Sequence, residues 1–161
     1  MLIDINISEE QNLINEINAA NKTNHTVDTL QFDKPLLIDG VDPGDKNLRN
    51  TQIIVKATPQ SKYEGSRLIK YRRVSISNQW LILHQKGFEL EIDEDISDDD
   101  DENKNIIINE IKAWFNYKES SVDLKIENDQ NDSYMYKVKL SAKPNSLIYL
   151  GEINLIVKFK R

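Results

Sequence analysis

The sequence predicts an α+β protein: two tandem helix-plus-antiparallel-strand repeats packed as a β-sandwich or partial barrel, with an inserted hairpin and acidic loop. Three observations predict it. Two stretches place apolar residues at helical spacing, one near the N-terminus and one past the middle. The rest is short strand-forming runs broken by turn residues. Short matches between the two halves also recur in the same order along the chain.

The first of those matches sets Ile14-Asn15-Glu16-Ile17-Asn18-Ala19 against Ile108-Asn109-Glu110-Ile111-Lys112-Ala113, identical at five of six positions with an offset of 94. Val27-Asp28 matches Val122-Asp123 at an offset of 95. Ala57, Pro59 and Ser61 match Ala142, Pro144 and Ser146 at an offset of 85. Tyr63 and Gly65 are mirrored by Tyr149 and Gly151 after one inserted residue. Each copy then ends in an aromatic followed by bases, Tyr71-Arg72-Arg73 and Phe159-Lys160-Arg161. The expected organisation is a first repeat at 1–76, a hairpin and acidic insert at 77–104, and a second repeat at 105–161, the repeats sharing one core. One unit alone has too few strands to bury a face.

The elements follow in order. Ser8 caps a helix over 9–21, with Glu9 and Glu10 in its first turn, Gln11 at the capping-box position and Asn21 as C-cap. Residues 26–32 read as a strand, and 33–50, rich in Pro and Gly, as a long loop with a short strand at Leu36–Ile38. Strands follow at 51–57 and 66–76, joined by a turn around Pro59. Pro has no N–H to give a ladder, Ser bonds back to the turn, and Gly65 permits a positive φ. Residues 79–84 and 88–92 read as hairpin arms around Lys86-Gly87. Ten acidic residues and no basic one lie between Glu89 and Glu102, which predicts a solvated loop. A second helix starts at Asn105, with Ile107, Ile108, Ile111, Trp114 and Phe115 on its apolar face. Strands are expected at 121–127, 133–142 and 150–160.

Composition narrows the function. With 161 residues and a net charge of −6, the chain does not read as a binder that neutralises phosphates, so no nucleic-acid partner is expected. It has no cysteine, which removes disulfides, thiolate metal sites and cysteine nucleophiles. No segment approaches the ~20 apolar residues of a membrane helix, and the N-terminus lacks a basic leader, so a soluble, cytosolically made protein with no membrane partner is expected.

The motifs of chemistry are missing. There is no G-x-S-x-G, no H-E-x-x-H, and "GVDPGDK" lacks the spacing of a phosphate loop. His25 and His84 lie far apart and read as incidental. Asp93, Asp95, Asp98 and Asp100 offer hard oxygens, but no central Gly or closing Glu makes them a calcium loop. The expectation is no catalytic residue, no metal and no cofactor. The candidate sites are instead contact surfaces between subunits. Arg67, Lys70, Arg72 and Arg73 form a basic strand, Asp98, Asp99, Asp100 and Asp101 an acidic loop able to dock on it, and Trp80 an interface anchor. Trp114 reads as core.

The first 75 residues or so resemble a family of virion structural proteins from tailed bacteriophages. The matching residues are Leu13, Ile17, Asn18, Ala20 and Asn21 in the helix, Arg49-Asn50-Thr51 in a strand, Ser61, Tyr63 and Gly65 in the turn, and Tyr71 and Arg73 at the strand end. The chain departs from that pattern in carrying Pro-Gln-Ser where glycine is usual, and in its acidic segment. The resemblance implies a non-enzymatic subunit of the particle, in the tail or neck, with other virion proteins and copies of itself as partners in a homo-oligomeric assembly. A capsid decoration protein or a receptor- or glycan-binding module on the virion is the alternative.

Overall fold

A computed structural model describes residues 3–42, 45, 48–84 and 87–160. The elements are α1 (Glu9–Asn21), β1 (Leu30–Phe32), β2 (Leu36–Leu37), β3 (Thr51–Ala57), β4 (Ser66–Tyr71), β5 (Val74–Ser75), α2 (Ile76–Leu83), β6 (Glu89–Asp95), α3 (Asp100–Trp114), a 3-10 turn at Glu119–Ser121, β7 (Val122–Asn128), β8 (Met135–Ala142), β9 (Tyr149–Leu150) and β10 (Glu152–Lys160). The class is α+β, and no sheet closes into a barrel among the described residues. Lys86 of the expected hairpin turn, Arg161 of the basic ending, and Pro43, Gly44, Lys46 and Asn47 of the expected loop lie outside the described residues.

The chain forms two compact units, Met1–Val74 with Pro144–Tyr149, and Ser75–Lys143 with Leu150–Arg161. In the first, α1 opens as its sequence dictates: the Ser8 hydroxyl accepts from the Gln11 N–H at 3.0 Å. The helix ends one residue beyond the expected cap, at Lys22 in the left-handed region (φ 56). The expected strand over 26–32 is shorter. Thr29 Oγ1 bonds both the N–H and the C=O of Thr26 and turns residues 26–29 away from the ladder. β1 and β2 lie in succession along one edge of β3, with Phe32 opposite Val55 and Leu36 opposite Gln52. They are one edge strand interrupted around Pro35, which cannot donate to the ladder. β4 pairs along the other edge of β3, and Leu13, Ile53, Val55, Tyr71 and Leu147 make the core.

The second unit is built on an open sheet ordered β6-β10-β8-β7. β8 is antiparallel to β7 and β10, and β6 runs parallel to β10. Leu90, Ile92, Tyr136, Val138, Leu140, Ile153, Leu155, Val157 and Phe159 are buried at alternating positions, the period-2 signature of a sheet with one covered face. α2 packs on β8 and β10.

The middle segment differs from its expected structure in two places. Residues 79–84 are not a hairpin arm: 79–83 belong to α2 and His84 is its C-cap, while Ser75 caps the helix start and Ile76 and Trp80 are buried at a spacing of four. The other expected arm, β6, pairs in parallel with β10. The acidic run is not one long loop either. β6 extends through Asp95, and α3 begins at Asp100, five residues before the expected start. Asp100, Asp101 and Glu102 sit in the first helical turn, where carboxylates meet the positive end of the helix dipole. Asp99 caps that turn by accepting from the Asp101 N–H at 2.9 Å.

The halves share strand connectivity. β1, β3 and β4 pair in the same antiparallel order as β7, β8 and β10. Ala57 donates to the Gly65 carbonyl at 3.0 Å and Ala142 to the Gly151 carbonyl at 2.9 Å, both glycines having positive φ (88 and 78). Leu30 and Val122 occupy matching registers, opposite Ala57 and Ala142. The Val27-Asp28 match is therefore out of register, because Val27 and Asp28 lie in the turn before β1. Both helices also pin the chain that enters them with a buried asparagine at their fourth residue. Asn12 bonds the N–H and C=O of Asp4, and Asn103 those of Ser97.

Candidate functional site

Arg73 lies two residues past the end of β4, where the sequence reading placed an exposed basic face. It is buried at 6 % exposure. Its Nε donates to Thr51 Oγ1 at 3.0 Å and its Nη1 to the carbonyl oxygens of Ser146 and Tyr149 at 3.0 and 3.4 Å. Asn50, also buried, brackets the Arg73 backbone, accepting from its N–H and donating to its C=O, each at 2.9 Å. Glu9, in the first turn of α1, accepts from the Ser146 hydroxyl at 2.7 Å and the Leu147 N–H at 2.6 Å. The arrangement clamps residues 144–149 into the first unit from two sides. Burial lowers the Arg73 pKa, against the favourable fields of Tyr71 and Glu9. Burial also raises the Tyr71 pKa well above the ordinary tyrosine range, with Arg73 opposing it. The Tyr71 hydroxyl has no hydrogen-bond partner among the described residues.

The other candidate residues separate. Trp80 is fully buried and cannot anchor a subunit interface. Its indole N–H donates to the Gly87 carbonyl at 2.8 Å, and its ring stacks on buried His84 at 4.9 Å. Trp114, expected in the core, is 42 % exposed at the end of α3, edge-on to His84 at 4.8 Å. The helix leaves Trp114 outside because Ile107 and Ile111 define its buried stripe and Phe115 follows it inward. Arg72 is half-buried. Of the basic strand only Arg67 and Lys70 stay exposed, and neither has an ion-pair partner among the described residues.

Asp98, Asp99, Asp100 and Asp101 are exposed, as expected. Asp100 is nevertheless engaged, accepting from Lys104 Nζ at 2.5 Å and the Tyr136 hydroxyl at 2.8 Å. The Lys104 bond, then that of Tyr136, holds its carboxyl below the usual range. Burial and the Asp100 bond push the Tyr136 hydroxyl up. No group of three or more His, Asp or Glu able to hold a metal occurs among the described residues.

Among the described residues an open groove lies in each unit. The first, about 610 Å³, includes Leu30, Phe32, Lys34 and Leu147 in its lining. The second, about 640 Å³, lies by Asp93, Tyr134, Met135 and Lys160. Lys160 bonds Asp93 at 3.0 Å, and that bond raises the lysine pKa. Sequence reasoning missed Glu9, Ser146, Asn12 and Asn103. Only the Ser61/Ser146 match pointed toward any of them, because a buried asparagine and an exposed one look alike in sequence.

Fold and surfaces define a class: an α+β protein of two four-stranded open sheets and a two-stranded one, whose buried polar groups brace backbone. The family comes from the sequence itself. Residues 3–160 match the model described as a family of unknown function (DUF7941), and the chain belongs to that family. No curated protein and no solved structure shows a significant match to the chain. No helix among the described residues is long and apolar enough to cross a membrane.

Proposed function

We propose that the protein is a non-enzymatic structural subunit of a tailed-phage virion, placed in the tail or neck and assembled with copies of itself and other particle proteins. One observation carries the reading. The polar residues that give the first half its resemblance to virion proteins act on the chain itself. Asn50 brackets Arg73, Thr51 accepts from the Arg73 guanidinium, and Asn18 bonds both the N–H and the C=O of His25. Ser61 accepts from the Tyr63 N–H at 3.1 Å. Groups arranged this way hold a shape and are not aimed at a reactant. The tandem origin of the two halves belongs to the same proposal, supported by their common strand pairing and their matching Gly65 and Gly151 turns.

Quantitative mass spectrometry of purified particles tests the reading. The chain is expected in the virion at a multiple set by the symmetry of the tail or neck, and its absence from washed particles overturns the proposal. A second reading, a glycan reader on the particle, is favoured by the exposure of Trp114 and Phe88, each 42 %. Binding on a glycan array, lost in Trp114→Ala, selects it.

A further inference from the structure

Each unit has an outer strand with a strand neighbour on one side only, β4 and β6, and these two edges carry opposite charge. In the first unit β4 has a strand neighbour on one side only. Ala57 donates to Gly65, and Arg67, Ile69 and Tyr71 share that parity in the ladder with β3. The N–H and C=O groups of Ser66, Leu68 and Lys70 therefore point away from β3, to the free side. Arg67 and Lys70 lie on this strand, exposed and without ion-pair partners among the described residues. Beside the edge, Ile54 and Leu68 face each other across the ladder and stay 41 % and 54 % exposed. A monomer gains nothing from leaving such a pair in water.

In the second unit β6 is the outer strand next to β10. Its sequence, Glu89-Leu90-Glu91-Ile92-Asp93-Glu94-Asp95, buries Leu90 and Ile92 and exposes the acids. Glu89 and Asp93 are paired with Lys158 and Lys160 of the neighbouring strand. Glu94 and Asp95 are exposed and in no ion pair among the described residues, and Asp98 and Asp99 extend the negative field past the strand end. The two edges alternate in compatible ways, since β4 turns Ile69 and Tyr71 to the side of its core as β6 turns Leu90 and Ile92.

We infer that β4 of one copy pairs edge to edge with β6 of a second copy, so that main-chain hydrogen bonds supply affinity and the Arg67/Lys70–acid complementarity sets partner and direction. Each copy carries both edges. The contact is heterologous, and it propagates head to tail into a ring or a stack. This rests on the structural-subunit reading, which it deepens by naming the surfaces that meet.

Sedimentation velocity on the purified full chain, at low and at high salt, tests it. Wild type is expected to form concentration-dependent oligomers at low ionic strength that dissociate as salt rises. Arg67→Glu with Lys70→Glu, and separately Glu94→Lys with Asp95→Lys, are expected to weaken association about tenfold or more. Circular dichroism should be unchanged, because all four side chains are exposed. Mixing the two reversed chains must restore association, since each then offers the edge the other needs. Wild type that stays monomeric at low salt, reversed variants that associate like wild type, or a mixture that does not recover each overturn the pairing. The structural-subunit reading is decided separately by the particle composition. A chain found in virions whose reversed variants still oligomerise sinks the edge pairing alone.

Discussion

The Arg73 guanidinium lies 3.0 Å from the carbonyl oxygen of Ser146, a residue from the far end of the chain, and both are buried. That bond and the Glu9 carboxylate beside it fix the 144–149 segment in the first unit. Arg73→Ala leaves the Ser146 and Tyr149 carbonyls short of a donor and is expected to cost about 2–4 kcal/mol. Arg73→Lys recovers only part of it, because an ammonium lacks the fork that reaches Thr51 and the carbonyls together. Urea unfolding followed by circular dichroism checks both, and a loss under about 0.5 kcal/mol for the alanine variant contradicts the clamp.

Tyr71 gives the opposite sign. Its buried hydroxyl has no partner among the described residues, so Tyr71→Phe is expected to leave stability unchanged or raise it by about 1 kcal/mol. The pH dependence follows from the raised pKa. The neutral hydroxyl is favoured in the fold, so its contribution is fully present below the unfolded tyrosine value, about pH 10, and is lost as pH rises beyond it. Wild type should weaken above that pH more steeply than Tyr71→Phe in unfolding measured at several alkaline pH values.

Asp100 works at the acid end. Its lowered carboxyl stabilises the fold above the unfolded carboxylate value, about pH 4, and the contribution disappears as pH falls through the folded value. The side chain is half exposed, so solvent screens the pair and the effect is small. Asp100→Asn should show a shallower loss of stability between pH 5 and pH 2 than wild type, on the order of a few tenths of a kcal/mol. Equal slopes would remove Asp100 from the account of acid unfolding.

The two tryptophans separate spectroscopically. Trp114→Phe leaves the buried Trp80, whose emission should be blue-shifted and poorly quenched by acrylamide. Trp80→Ala empties the site beside His84 and is expected to cost about 3–5 kcal/mol. A readily quenched Trp80 would mean that α2 does not pack as described.

Gly65 and Gly151 both sit at positive φ, at matching points of their turns. Gly65→Ala and Gly151→Ala should each cost about 1–2 kcal/mol from backbone strain, since no atom lies within 4 Å of an added Cβ at either site. Similar losses in thermal unfolding support equivalent turns, and a silent substitution at either position breaks the correspondence.

The sequence by itself determined α1 with its Ser8 cap, the limits of β3, and the shared strand–turn–strand course with a glycine at the same place in each half. Those features are local: a cap, a period-2 run and a positive φ are written in neighbouring residues. Tertiary structure alone decided the rest. "NQWLIL" has too few residues to distinguish strand from helix by period, and packing on β8 and β10 selected the helix. The acidic run is solvated by composition, yet its aspartates open α3 because Asn103 and Tyr136 tie that end down. Arg73 and Trp114 exchanged the places their types suggest for the same reason. A side chain's burial depends on partners brought from elsewhere in the chain, and the carbonyls that receive Arg73 come from 146 and 149, where nothing in the local sequence announces them.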